Sequence, residues 1–196
     1  MSFVITDGTG SGYGVKVDSK FRLNTLSTNI EQATQANNNG DAYNLNTGEI
    51  TLTDAVDTPV LYVKNNEDTI MHITAIALGM NFDTGGSATE MARVTVVRNP
   101  TTGTIITSTP TAGDIESNSN FGSEKTKAID FYKGATGDTM TDGTDHIILF
   151  QNPGNRLYAG LEILMPKGSS VGIKVAAPAS SSSMDTYAAI ICYWGE

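Results

Sequence analysis

From residue 49 onward the apolar residues fall into short runs separated by turn-forming residues. Ile50-Thr51-Leu52-Thr53 alternates with period two, and Val60-Leu61-Tyr62-Val63-Lys64 runs into the turn Asn65-Asn66-Glu67-Asp68. Met71 to Met80 reads as a long strand with Ile73, Ala75 and Ala77 on one face and His72, Thr74, Ile76 and Leu78 on the other. Arg93-Val94-Thr95-Val96-Val97-Arg98 ends at Asn99-Pro100, with Ile105-Ile106 as its expected pairing partner. Further strands are predicted at Ile147-Ile148-Leu149-Phe150, Leu161-Glu162-Ile163-Leu164-Met165, Val171-Gly172-Ile173-Lys174-Val175 and Tyr187 to Tyr193. No run sustains a 3.6-residue period, and no 20–50-residue repeat marks a solenoid or a propeller. About eight short strands with turn chemistry between them predict an antiparallel β-sandwich over residues 49–196. Residues 108–145 are long and polar and read as a surface insertion.

Residues 1–48 are patterned differently. Gly stands at every second position in Asp7-Gly8-Thr9-Gly10-Ser11-Gly12-Tyr13-Gly14, which suits irregular backbone. Val15-Lys16-Val17 and Phe21-Arg22-Leu23 flank Asp18-Ser19-Lys20 as a short hairpin, and Thr28 to Asn39 is compatible with a strand, a loose helix or a tether. Asn37-Asn38-Asn39-Gly40-Asp41 is a turn. A segment this poor in large apolar side chains cannot offset its own ordering entropy. Residues 1–48 are therefore expected to be an extended arm that borrows order from a neighbour, with Phe3, Val4, Ile5, Val15, Val17, Phe21 and Leu23 as contact pegs.

Composition sharpens this picture. Of 196 residues, 26 are Thr, 15 Ser, 15 Asn and 20 Gly, all poor helix formers. The formal charge is −9, with 12 basic residues scattered along the chain. That leaves no phosphate-neutralising face, so nucleic acid is not an expected partner. The start, Met1-Ser2-Phe3-Val4-Ile5, lacks the basic and long apolar regions of a signal peptide, and no stretch approaches the ~20 residues that span a bilayer. Asn99-Pro100-Thr101 is the nearest approach to a glycosylation sequon and is blocked by its proline. The single cysteine, Cys192, lies in an apolar run and reads as a small buried hydrophobe.

Candidate chemistry is sparse. Gly168-Ser169-Ser170-Val171-Gly172 matches G-x-S-x-G, but Ile173-Lys174-Val175 continues as strand and no histidine follows position 146. A β-turn from Met165-Pro166-Lys167-Gly168 into the next strand accounts for it better. His72 and His146, the two histidines, read as structural. Asp138, Asp142 and Asp145 form an oxygen-rich loop that suits a hard cation in composition but not in EF-hand spacing, so a solvated loop is expected. Gly8, Gly10, Gly12 and Gly14 do not satisfy G-x-G-x-x-G. No cofactor, metal or catalytic residue is assigned, and a glycan depolymerase with paired carboxylates is the weakest reading.

Asp7-Gly8-Thr9-Gly10, Lys16-Val17-Asp18, Arg22-Leu23 and the stretch from Asn39-Gly40-Asp41-Ala42-Tyr43-Asn44 to Thr47-Gly48 resemble virion structural proteins of tailed bacteriophages. Leu61-Tyr62-Val63-Lys64-Asn65, Val97 to Gly103 and Met165 to Ser170 belong to the same pattern. The family includes head decoration (cement) and head-fibre-like proteins. The resemblance implies a jelly-roll-like domain with no active site, homotrimeric and located in the virion after synthesis in the bacterial cytoplasm. The major capsid protein or another virion protein would be its partner. The alternative is a tail- or fibre-tip module that binds a receptor or carbohydrate through exposed groups such as Tyr132, Asp138, Asp142 and Tyr158.

Overall fold

The computed structural model describes residues 31–53, 56–84, 91–108, 111–112, 115–152, 154–178 and 183–195. The chain divides into two units, 1–31 and 32–196, and every described element belongs to the second. The pegs Phe3, Val4, Ile5, Val15, Val17, Phe21 and Leu23, and the hairpin expected around them, lie outside the described residues.

In chain order the elements are α1 (Gln32–Asn39), β1 (Ala42–Asn46), β2 (Ile50–Leu52), β3 (Thr58–Asn65), β4 (Ile70–Thr84), β5 (Ala92–Arg98), α2 (Thr104–Thr107), β6 (Thr111–Ala112), β7 (Ile115–Asn118), β8 (Ile129–Lys133), β9 (Thr144–Gln151), β10 (Arg156–Met165), β11 (Ser170–Ala176) and β12 (Ser183–Gly195). They form two antiparallel sheets. One runs β10-β4-β12-β1-β7, with β2 also on β12; the other runs β6-β8-β3-β11-β5-β9. β1 and β2 pair with successive parts of β12, Ala42–Asn46 against Tyr193–Ala189 and Ile50–Leu52 against Thr186–Met184. Together they act as one interrupted strand. From there the chain changes sheet at each main strand except at the β5–β9 pair, which is the winding of a jelly roll.

Apolar side chains from the two inner faces make one core. Leu45, Leu52, Ile76, Leu78, Met184 and Ile190 come from the first sheet, and Leu61, Val63, Val94, Val96, Val171 and Ile173 from the second. Cys192 is buried there, with its Sγ 3.7 Å from the Tyr43 carbonyl oxygen. Asn65 is the main polar group inside. Its amide donates to the carbonyls of Thr69 and Met165, both at 2.9 Å, and its Oδ1 accepts from the Trp194 indole at 3.0 Å and the Glu67 N–H at 3.1 Å. All four of its hydrogen-bonding positions are filled, which is the condition for burying an amide without loss.

Three expectations are corrected. The change of composition near residue 48 is not a structural boundary. Ala42–Asn46 lie inside the first sheet between β12 and β7, and α1 precedes them. Tyr43 and Leu45 carry this segment into the core, and Tyr43 packs edge-on against Trp194 at 5.3 Å. Two inward side chains on a five-residue strand suffice once both neighbours supply ladder bonds. Second, Ile105 and Ile106 are in α2 rather than in a strand, and β5 pairs with β11 and β9. Third, the alternation in β4 changes phase. Its register slips against both neighbours near Ile73, so Ile73 points inward but so do Ile76 and Leu78, while Ala75 stands opposite Ile191 and the exposed Gly160.

Candidate functional site

The insertion between β5 and β9 determines which edge of the sandwich is covered. β7 extends the first sheet beyond β1, and β8 extends the second beyond β3. Between them the insertion lays Ile105, Met140 and the partly buried Ile106 on the outer face of β3 and β5, against Tyr62 and Val97. Two polar stretches hold it shut. The Asp142 carboxylate accepts from the backbone N–H groups of Thr101 and Thr102, each at 2.8 Å, and from both threonine hydroxyls. Asp138 accepts from the Thr104 hydroxyl at 2.8 Å and the Ala135 N–H at 2.8 Å. Four donors hold the Asp142 carboxyl at about 2, below the ordinary carboxylate value; the Thr101 hydroxyl is the largest contributor.

The sequence-level candidates therefore separate. Asp138 and Asp142 use their oxygens on neighbouring threonines and backbone, while Asp145 lies in β9 with Lys174 Nζ 4.0 Å away. Among the described residues no group of three or more His, Cys, Asp or Glu side chains is placed to hold a metal ion. Tyr132 in β8 is stacked on Tyr62 at 6.0 Å, and Tyr158 stands on β10, in the other sheet. The four residues proposed for carbohydrate contact do not share a surface. Ser169 and Ser170 occupy the expected turn: the Ser169 N–H donates to the Pro166 carbonyl at 3.0 Å and Gly168 has φ +82°. The Ser170 hydroxyl donates to the Pro100 carbonyl at 2.9 Å.

The opposite edge is open. Among the described residues β9 and β10 each have a single neighbouring strand, β5 and β4 respectively. Their inward side chains, Ile147 and Leu149 on β9 and Leu157, Leu161 and Ile163 on β10, are only partly buried against the core. Their outward side chains include four large exposed hydrophobics: Ile148 (50%), Phe150 (62%), Tyr158 (67%) and Leu164 (60%). Unpaired backbone beside apolar side chains is the usual signature of an edge that associates.

One end of this edge opens into a cleft of about 380 Å³, lined by Val96, Arg98, His146, Glu162, Ile163 and Ser169 among others. No serine, threonine or cysteine of the described residues is hydrogen-bonded to His146 or Glu162, so the cleft presents no paired nucleophile and base. His72, beside Leu164 in the β10–β4 ladder, stacks on Tyr193 at 4.6 Å. Its Nε2 is buried without a hydrogen-bond partner, and burial holds its pKa below the ordinary histidine value.

Pattern reading missed the open edge. The available signal was Ile147-Ile148-Leu149-Phe150, four consecutive apolar residues that put hydrophobic side chains on both faces of one strand. Comparison with protein families, curated proteins and solved structures returns no match. No helix among the described residues is long and apolar enough to cross a membrane.

Proposed function

We propose that this chain is a virion structural protein of the tailed-bacteriophage kind. In this reading it is a jelly-roll subunit that decorates or cements a capsid or another virion surface and is anchored through its N-terminal residues. The observation that carries the reading is the contrast between a fully wound jelly roll and one long apolar edge left unpaired among the described residues. That arrangement suits a subunit of a larger assembly better than a lone binding module. The family itself comes from the resemblance in the Gly-, Asn- and Asp-rich stretches. An acidic chain of charge −9 suits a particle surface in a cell crowded with nucleic acid.

Phe3, Val4, Ile5, Val15, Val17, Phe21 and Leu23 supply the contacts to the major capsid protein or other virion partner. The test is co-sedimentation with purified particles. The full chain is expected to pellet at a fixed copy number, and a chain lacking residues 1–30 to remain in the supernatant as folded β-protein. Equal binding by both would remove the N-terminal residues from the attachment. No binding by either would remove the virion assignment. The resemblance implies a homotrimer, and mass measurement on the same material decides between that and any other assembly. No observation favours the carbohydrate-binding alternative, because Tyr132 and Tyr158 stand on different sheets.

A further inference from the structure

We infer that β10 is a two-fold contact through which two copies of this chain pair edge to edge, antiparallel and centred on Ala159. β10 is ten residues long, and among the described residues nothing pairs with its outer side. Its side chains alternate: Arg156, Tyr158, Gly160, Glu162 and Leu164 are exposed, while Leu157, Ala159, Leu161 and Ile163 are half-buried toward the core.

An antiparallel pair of identical strands has a symmetry centre, and residues equidistant from it stand opposite each other. β10 carries two charges, Arg156 and Glu162, and Ala159 lies midway between them. Centring the pair on Ala159 sets Arg156 of each copy opposite Glu162 of the other, so both charges are matched twice. The same register sets Leu157 opposite Leu161 and Tyr158 over Gly160, where an aromatic ring covers the strand exposed at a glycine. Centring on Tyr158 would place Arg156 opposite Gly160, and centring on Gly160 would place it opposite Leu164. A register off by one residue would set core-facing positions against solvent-facing ones. Ala159 is the centre that satisfies charge and face together.

Neither charge is otherwise used: among the described residues no ion pair or side-chain hydrogen bond engages Arg156 or Glu162. β10 begins at Arg156, so a ladder centred on Ala159 spans seven residues, 156–162; its last two, Leu161 and Glu162, stand where the register of β10 against β4 slips, between Gly160 and Ile163. Pairing there also brings the two open seams together, so the half-buried Leu157 and Leu161 gain a second covering layer. A self-complementary strand makes an isologous contact, which gives a closed dimer rather than a three-fold ring. The contact is read from β10 alone and does not rest on the virion assignment, so a failed particle-binding assay leaves it standing, and the reverse holds too.

The test is sedimentation equilibrium of the full 196-residue chain with charge reversals at the two positions. The wild-type chain is expected to dimerise. Arg156→Glu and Glu162→Arg should each weaken the dimer about tenfold or more by setting like charges opposite at two symmetric places, and the double variant should recover wild-type affinity. A second measurement reads the register directly. Ala159→Cys should oxidise to a covalent dimer, because position 159 faces itself, whereas Tyr158→Cys should not; the native Cys192 is buried. A monomeric or trimeric wild-type chain, single variants that dimerise normally, a double variant that does not recover, or cross-linking at 158 instead of 159 would each overturn the proposal.

Discussion

Val60-Leu61-Tyr62-Val63 in β3 and Ile147-Ile148-Leu149-Phe150 in β9 are the same kind of sequence: four consecutive apolar residues in one strand of one sheet. Their environments are opposite. All four β3 side chains are buried, Leu61 and Val63 in the sandwich core and Tyr62 beneath Ile105 and Met140 of the insertion. In β9 the outward Ile148 and Phe150 are half exposed or more, against 3% for Tyr62, and even the inward Ile147 and Leu149 are incompletely covered. The difference lies in topology. β3 is an interior strand with the insertion folded over it, and among the described residues β9 is an edge strand with β5 as its single neighbour. An apolar run thus records that a strand is covered on both faces in its working state, not that its own chain does the covering.

This contrast can be broken from the covered side first. Gly134 follows β8, and a Cβ there would come within 1.8 Å of the Pro59 carbonyl oxygen, a backbone atom that cannot step aside. Gly134→Ala is expected to destabilise the fold by about 2–4 kcal/mol in denaturant unfolding by pushing β3 and the insertion apart. Ile105→Ala, which removes a fully buried side chain from the insertion's own cluster, should cost about 2–4 kcal/mol and expose Tyr62 to quenchers of tyrosine fluorescence.

Asp142 gives a pH signature for the same region. Its folded-state pKa of about 2 lies below the ordinary value of 3.8, so its stabilisation is complete above pH ~4. That contribution is lost as pH falls from there through about 2, because the unfolded chain takes up the proton first. Asp142→Asn should melt below the wild type at pH 6, and the gap should narrow steadily toward pH 2 when melting temperature is followed against pH.

The smallest effect is expected on the open side. Phe150→Thr should change the unfolding free energy of the monomer by no more than about 0.5–1 kcal/mol, since the side chain it removes is already largely in water. It should nonetheless raise solubility in a precipitation assay. A loss as large as that of Ile105→Ala would mean that β9 is covered after all, and the comparison of the two edges would fail.

The β-sandwich class and most strand positions were legible because alternation and turn residues are local properties. The turn at Pro166 to Ser169 and the burial of Cys192 followed from the same kind of evidence. The structural membership of residues 42–46 was not legible. Asn44 and Asn46 look like loop residues, and only the partner strands β12 and β7 make their backbone part of a ladder. The acidic loop was legible as polar but not in its role. That Asp142 ties Thr101 and Thr102 together requires residues about 40 positions apart to meet. Ile105-Ile106 misled because two β-branched residues suggest a strand, and only a site under the insertion supplies the burial that favours a single helical turn there.

By itself the amino-acid sequence determined an all-β chain, acidic, with one buried cysteine and a polar insertion between two strands. These properties depend on spacing and composition, and each is decided within a few residues. Tertiary structure alone decided which strands became edges, which face the insertion covered, and that Arg156 and Glu162 stand on either side of Ala159 along a strand whose outer side is unpaired among the described residues. Edges and covering arise from the order in which strands meet across the two sheets. That order is a long-range choice, made by the whole core at once and written in no single segment.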